Sequence, residues 1–195
     1  MDEVTTLAFA AQRGDAVALS TLVRTTWSDV ARLVTAVAGR DLAEDATQDA
    51  YLRAIKALPS YRGEASGRTW LLSIARRAAI DAVRGAARRR RLTGRLVART
   101  ELNATVDIAV DDLSLTEQLL GRLDADRRTA FALTQLLGLS YVDAAAICGC
   151  PVGTIRSRVA RARDDLIRAM PSDGASPPGP SPPGTSPPGT SPDRP

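Results

Sequence analysis

The sequence predicts an all-α fold: two small helical domains joined by a flexible linker, with a disordered Pro-rich tail. Three observations lead there. Apolar residues recur three or four apart along most of the chain, and no stretch alternates with a period of two. That pattern breaks at 92–112 and again after 170. Charge is segregated within an overall +4: residues 76–99 carry a net +8 and 156–170 a net +3, whereas 1–64 carry −2 and 100–155 carry −5. Basic stripes between acidic stretches are the electrostatic footprint of a polyanionic partner.

The first helix spans 15–38. Leu19, Leu22, Val23, Val30, Leu33, Val34 and Val37 form its apolar face, Asp15 is its N-cap and Gly39 its stop. Asp41 with Glu44 three residues on resembles a capping box opening the next helix. That helix runs to Leu58, because Pro59 ends it. The segment PSYRGEASG (59–67) reads as a loop. A long helix follows over 68–91, burying Trp70, Leu71, Ile74 and Ala78. Residues 1–91 therefore make one domain and 92–112 a linker. The second domain covers 113–170, with helices at 114–121, 124–137, 140–148 and 152–169. The tail, 171–195, repeats Ser-Pro-Pro-Gly and cannot bury enough apolar surface to fold.

Composition removes several function classes. There is no histidine, the commonest general base and metal ligand. Cys148 and Cys150 are too close in sequence to staple the fold, and nothing completes a zinc site around them, so they read as small apolar side chains. No nucleophile constellation is visible, so the expectation is no catalytic residue, no metal, no cofactor and no enzyme activity. No apolar run reaches the ~18 residues of a membrane span. The acidic N-terminus does not read as a signal peptide, which points to the cytoplasm.

The sharpest motif is LSYVDAAAICGCPVGTIRSRVARARDDL at 139–166. Ser140 caps a short helix, Asp143 completes a capping-box-like pair, and Ala144, Ala145 and Ala146 allow a close helix crossing. Gly149 permits the tight turn, and the next helix starts at Cys150 or Pro151. Two short helices joined in this way form a helix-turn-helix. The second helix of such a unit enters the major groove by its N-terminus, which here offers Thr154, Arg156, Ser157, Arg158 and Arg161. Ile155, Val159 and Leu166 hold its opposite face to the core.

CPVGTIRSRVARARDDL resembles region 4 of extracytoplasmic-function (ECF) sigma factors of the sigma-70 family. DLAEDATQDAYLRAIKALPSY (41–61) and RTWLLSIARRAAIDAVRGAARRRR (68–91) resemble their region 2, in the family's order. The wording of 136–164 is similar to the actinobacterial sigma C group. The resemblance implies a factor that binds core RNA polymerase and directs promoter recognition, melting and initiation. It implies docking on the polymerase beta-prime clamp helices through Asp45, Gln48 and Asp49, which share one helix face at i, i+3, i+4. Contact with the beta flap, promoter DNA and, in some members, an anti-sigma factor is implied as well.

For the promoter −10 element the resemblance implies Tyr61, Arg68, Arg76, Arg77, Arg84 and Arg88, with a loop near 61–69 capturing a flipped base. For −35 it implies Arg156, Ser157 and Arg161, beside Thr154 and Arg158 at the same helix start. Arg77 stands where the family commonly has Asn, and Ala160 where many members have an aromatic, so the promoter sequences stay open. A classical helix-turn-helix regulator would need neither the acidic face at 45–49 nor the 68–91 block. Packing of the two domains on each other would hide both DNA surfaces in the free protein.

Overall fold

A computed structural model describes residues 2–97 and 119–169, all helices and connections, with no strand among the described residues. The helices are α1 (Glu3–Gln12), α2 (Ala16–Ala38), α3 (Arg40–Ala57), α4 (Gly67–Val97), α5 (Ala125–Phe131), α6 (Tyr141–Cys148) and α7 (Val152–Ala169). A single 3-10 turn, Leu58–Ser60, follows α3, and a wider π-type turn, Ala132–Leu136, continues α5.

The first unit is α1 to α4. Asp15 caps α2 as expected, accepting from the N–H groups of Val17 and Ala18. Gly39 ends α2, and α2 buries Val30, Leu33, Val34 and Val37 against α3 and α4, while Leu22 packs with Ala8, Leu58 and Tyr61. Burying side chains of this size stabilises by roughly 1.5–3 kcal/mol each. Three sequence expectations need correction. Asp41 does not cap α3: the helix already begins at Arg40, behind Gly39, without a side-chain cap. Residues 92–97, assigned to the linker, continue α4, because Arg and Leu there favour helix once the preceding turns are formed. The remainder of the linker and the tail lie outside the described residues.

The third correction is α1, which the apolar spacing does not reveal. Asp2 caps it, accepting from the Thr5 N–H at 3.0 Å and the Thr5 hydroxyl at 2.6 Å. The hydroxyl hydrogen bond holds the Asp2 carboxyl below its ordinary range. The Thr5 oxygen in turn accepts from the Gly67 N–H at 2.7 Å. At Gly67 the backbones approach so closely that a Cβ would lie 2.9 Å from the main chain of Val4 and Thr5. Gln12 fastens the other end of the loop, its side-chain amide donating to the carbonyls of Leu58 and Tyr61.

The second unit is α5 to α7. Asp124 caps α5 and Ser140 caps α6. Gly149 ends α6 in the left-handed conformation, φ 63°, which a residue without Cβ adopts freely. Ala144, Ala145, Ile147, Ile155, Val159 and Ala162 are buried where α6 and α7 cross.

The two units are packed on each other. Helix α4 lies against α6, and α2 against α5 and the π-type turn. Most of their buried apolar residues form one contiguous cluster from Val30 to Ala162, while Ala8, Leu22, Leu58 and Tyr61 form a smaller one within the first unit. Polar contacts cross the junction too: Arg68 donates to the Leu137 carbonyl at 3.0 Å, and the Thr69 hydroxyl donates to Asp143 at 3.4 Å.

Candidate nucleic-acid interface

Helix α7 carries the clearest set. With Ile155 and Val159 buried at 0% and 1% exposure, the helical repeat forces Arg156, Ser157 and Arg161 outward, and all three are exposed. Thr154 is half-buried, with its N–H bonded to the Pro151 carbonyl and its own carbonyl accepting from the Ser157 hydroxyl. Arg158 is placed differently from its neighbours. It pairs with Asp126 of α5 and donates to the Cys150 sulfur at 3.8 Å, so it braces the turn from behind. A second brace joins Arg127 of α5 to Asp165 of α7 at 2.5 Å, and this pairing holds Asp165 below the usual carboxylate range. Burial pushes the Cys148 thiol up to about 11, which keeps it protonated and apolar, as expected of a packing residue.

The loop before α4 is built around Tyr61. Its ring lies between Phe9, with centroids 5.1 Å apart, and Trp70, at 4.9 Å. Its hydroxyl donates to the Ala65 carbonyl at 2.8 Å, and only 5% of the residue is exposed. Beside it lies a cavity of about 330 Å³ lined by Arg62, Glu64, Thr69, Ser73 and, from α6, Ala146. Arg68 is held by Asp29 at 2.7 Å and by the Leu137 carbonyl.

Along α4, Arg77, Arg84 and Arg88 are exposed. Arg76 is half-buried, has a desolvated Nε with no partner, and lies close enough to Cys148 to counter the rise in its pKa. Asp81, between the exposed arginines, is held below its ordinary range, first by Arg53 and then by Arg84 and Arg88.

On α3, Asp45 and Gln48 are exposed and Asp49 is half-buried. Arg53 forks between Asp49 at 2.7 Å and Asp81 at 2.6 Å, tying this face to α4. The three residues do share one face, and the structure extends it: Leu52 at 58% and Ile55 at 43% exposure continue the same stripe. Sequence reasoning missed both, although apolar residues at i+7 and i+10 from Asp45 were the available signal. It also missed the α1 supports Thr5, Phe9 and Gln12, whose only sequence trace is the Asp2–Thr5 spacing.

Comparison with known proteins finds two family profiles. "Sigma-70 region 2" matches residues 22–89 and "Sigma-70, region 4" matches residues 113–166. An ECF RNA polymerase sigma factor, SigC, from Mycobacterium tuberculosis is 46% identical over 176 residues, covering 88% of this chain and 94% of the relative. The ECF RNA polymerase sigma-E factor of Escherichia coli is 36% identical over 169 residues, covering 80% and 87%. Among solved structures, CnrH in complex with the cytosolic domain of CnrY aligns with a TM-score of 0.68 at 26% identity, covering 89% of this chain and all of that one. The sigma factor RpoE in complex with the anti-sigma factor NepR from Bartonella quintana aligns with a TM-score of 0.58 at 30% identity, covering 80% and 98%.

Proposed function

Because this chain belongs to the ECF branch of the sigma-70 family and is a promoter-directing factor of RNA polymerase, we propose that its two helical units divide the promoter between them. The single observation that carries this reading is α7, which presents Arg156, Ser157 and Arg161 to solvent from a buried Ile155–Val159 base. Bidentate arginine pairing with guanine edges in the major groove supplies about 1–3 kcal/mol of discrimination per pair. Arg158 supports that reading indirectly, as a brace.

The first unit opens and holds the −10 element. Arg77, Arg84 and Arg88 follow phosphates along the exposed side of α4. The cavity beside Tyr61 receives an unpaired base, with Tyr61 forming its floor and Thr69 and Ser73 its polar wall. Core polymerase docks on Asp45, Gln48 and Asp49, where an acidic face suits a basic helix. The beta flap meets the second unit. Nucleotidyl transfer belongs to the polymerase, so this chain needs no catalytic group, metal or cofactor, and it works in the cytoplasm. An anti-sigma protein is a further partner in this reading, supported by the sigma factor RpoE of like fold, which was solved in complex with the anti-sigma factor NepR.

In the free protein the −10 parts are engaged elsewhere: Arg68 with Asp29 and Leu137, Thr69 with Asp143, and the cavity walled by Ala146. The free protein therefore binds promoters weakly, and core polymerase draws the units apart.

Run-off transcription with purified core polymerase on native promoters tests the whole reading. Initiation is expected with the wild-type chain and is lost in an Asp45/Gln48/Asp49 triple-alanine variant. Tight promoter binding without core, and no initiation with it, would reject the reading in favour of a stand-alone regulator.

A further inference from the structure

Helix α1 turns one side to the loop that precedes α4. Thr5, Phe9 and Gln12 stand at i, i+4 and i+7, so they share a helix face, and each grips a different part of residues 58–67. At the loop's entry the Gln12 side-chain amide donates to the main-chain carbonyls of Leu58 at 3.0 Å, Pro59 at 3.2 Å and Tyr61 at 2.9 Å. The end of a helix leaves such carbonyls without intrahelical partners, and here a side chain from a distant helix satisfies them.

In the middle of the loop the Phe9 ring lies against Tyr61. Gly63, in the left-handed region at φ 75°, passes so close to the same ring that a Cβ would stand 2.7 Å from it. At the loop's exit the buried Thr5 oxygen accepts from the Gly67 N–H, while the Thr5 hydroxyl donates to Asp2. With its proton committed to Asp2, the Thr5 oxygen is fixed as an acceptor. Tyr61, Arg62, Glu64 and Ala65 of this loop line the cavity of about 330 Å³, and among the described residues none of α1 lines it. Helix α1 therefore acts on the cavity only through the loop. All of these contacts lie within the first unit, so they persist when the second unit moves away.

We propose that α1 is a positioning element for strand capture, with Gln12 setting the loop geometry on which the cavity's choice of base depends. This rests on the reading of that cavity as the site of an unpaired −10 base. A captured base is chosen by hydrogen bonds to its edge, and the groups that make them must be held within about 0.5 Å of the productive geometry. An irregular loop has no ladder of hydrogen bonds to hold it so. Gln12 supplies the constraint by joining the carbonyls of Leu58, Pro59 and Tyr61 to one planar group. It touches no base itself.

The test uses holoenzyme assembled from purified core polymerase and the full-length chain, with a promoter that it transcribes. Affinity is measured for a single-stranded oligonucleotide of the −10 segment and for the same oligonucleotide with its −10 bases scrambled. The ratio of the two reads selectivity, and it cancels any change in general attraction to phosphates. Gln12→Ala is expected to lower the ratio about tenfold, as for the loss of a well-formed hydrogen bond. Gln12→Glu sets a carboxylate against the loop carbonyls and lowers it further. Gln12→Lys keeps a donor in place and is expected to stay within about twofold of wild type. Thr5→Val, which removes the acceptor at the other end of the loop, lowers the ratio, and Thr5→Ser retains it. A wild-type ratio in both Gln12→Ala and Gln12→Glu would overturn the inference. So would an equal loss of affinity for both oligonucleotides, the mark of a merely structural role. A wild-type holoenzyme that binds both oligonucleotides alike would remove the reading of the cavity, and this inference with it.

Discussion

Helix α7 holds Arg156, Ser157 and Arg161 out in solvent, whereas the loop before α4 is folded in on itself and against the second unit. The proposed function gives the two surfaces different tasks. A duplex edge is read by side chains that need no rearrangement, so a rigid helix on a buried base suffices. A melted strand must be captured only after it exists, and a pocket left open beforehand gains nothing. In the proposed reading the surface on α7 is preformed, whereas the loop before α4 is tied to the second unit through Arg68 and Thr69, with Ala146 of α6 at the wall of its cavity.

The firmest way to break this contrast is to loosen the base under α7. Ile155→Ala empties a site with 0% exposure and is expected to cost about 2–5 kcal/mol of stability. Denaturant unfolding monitored by circular dichroism reads that loss. Arg156→Ala leaves the fold intact and should cost about 1–3 kcal/mol of −35 recognition, seen as a drop in transcription from promoters with a native −35 element. An unchanged promoter preference would mean that another face of α7 reads the duplex.

The covered surface is expected to respond in the opposite direction. Asp143→Asn weakens the long Thr69 contact while keeping an acceptor for the Ser140 hydroxyl. At about 0.5–1.5 kcal/mol for such a hydrogen bond, promoter binding by the free protein should rise a few-fold, with transcription by the holoenzyme unaltered. Mobility-shift titration at fixed salt measures it, since salt alone changes such affinities strongly. The smallest expected effect is acid sensitivity of the brace behind α7. Asp165 has its folded value lowered by Arg127, so its contribution is complete above the ordinary carboxylate range and fades as pH falls through the lowered value. An Asp165→Asn variant should lose that acid dependence in a thermal-unfolding series.

The helix-turn-helix was legible almost residue by residue, because its signals are local. Ser140, Gly149 and Pro151 act on their own backbone neighbours, and the Ile155–Val159 spacing sets which arginines face out. Helix α1 was not legible, since its apolar residues give no clear face and its role lies in reaching Gly67 and Tyr61 some fifty to sixty residues away. Arg158 shows the same limit inside the best-read motif. Its type and position suit DNA, yet Asp126 on α5 claims it.

What the sequence determined by itself was the all-helical class, the two units, the turn chemistry and the separation of charge, because these depend on periodicity and on residues a few positions apart. Tertiary structure alone decided which members of each basic stripe reach solvent, that Tyr61 lies between Phe9 and Trp70, and that the two units share one core. Those outcomes depend on which distant helix faces meet, and the free energy of burying apolar surface is indifferent to distance along the chain.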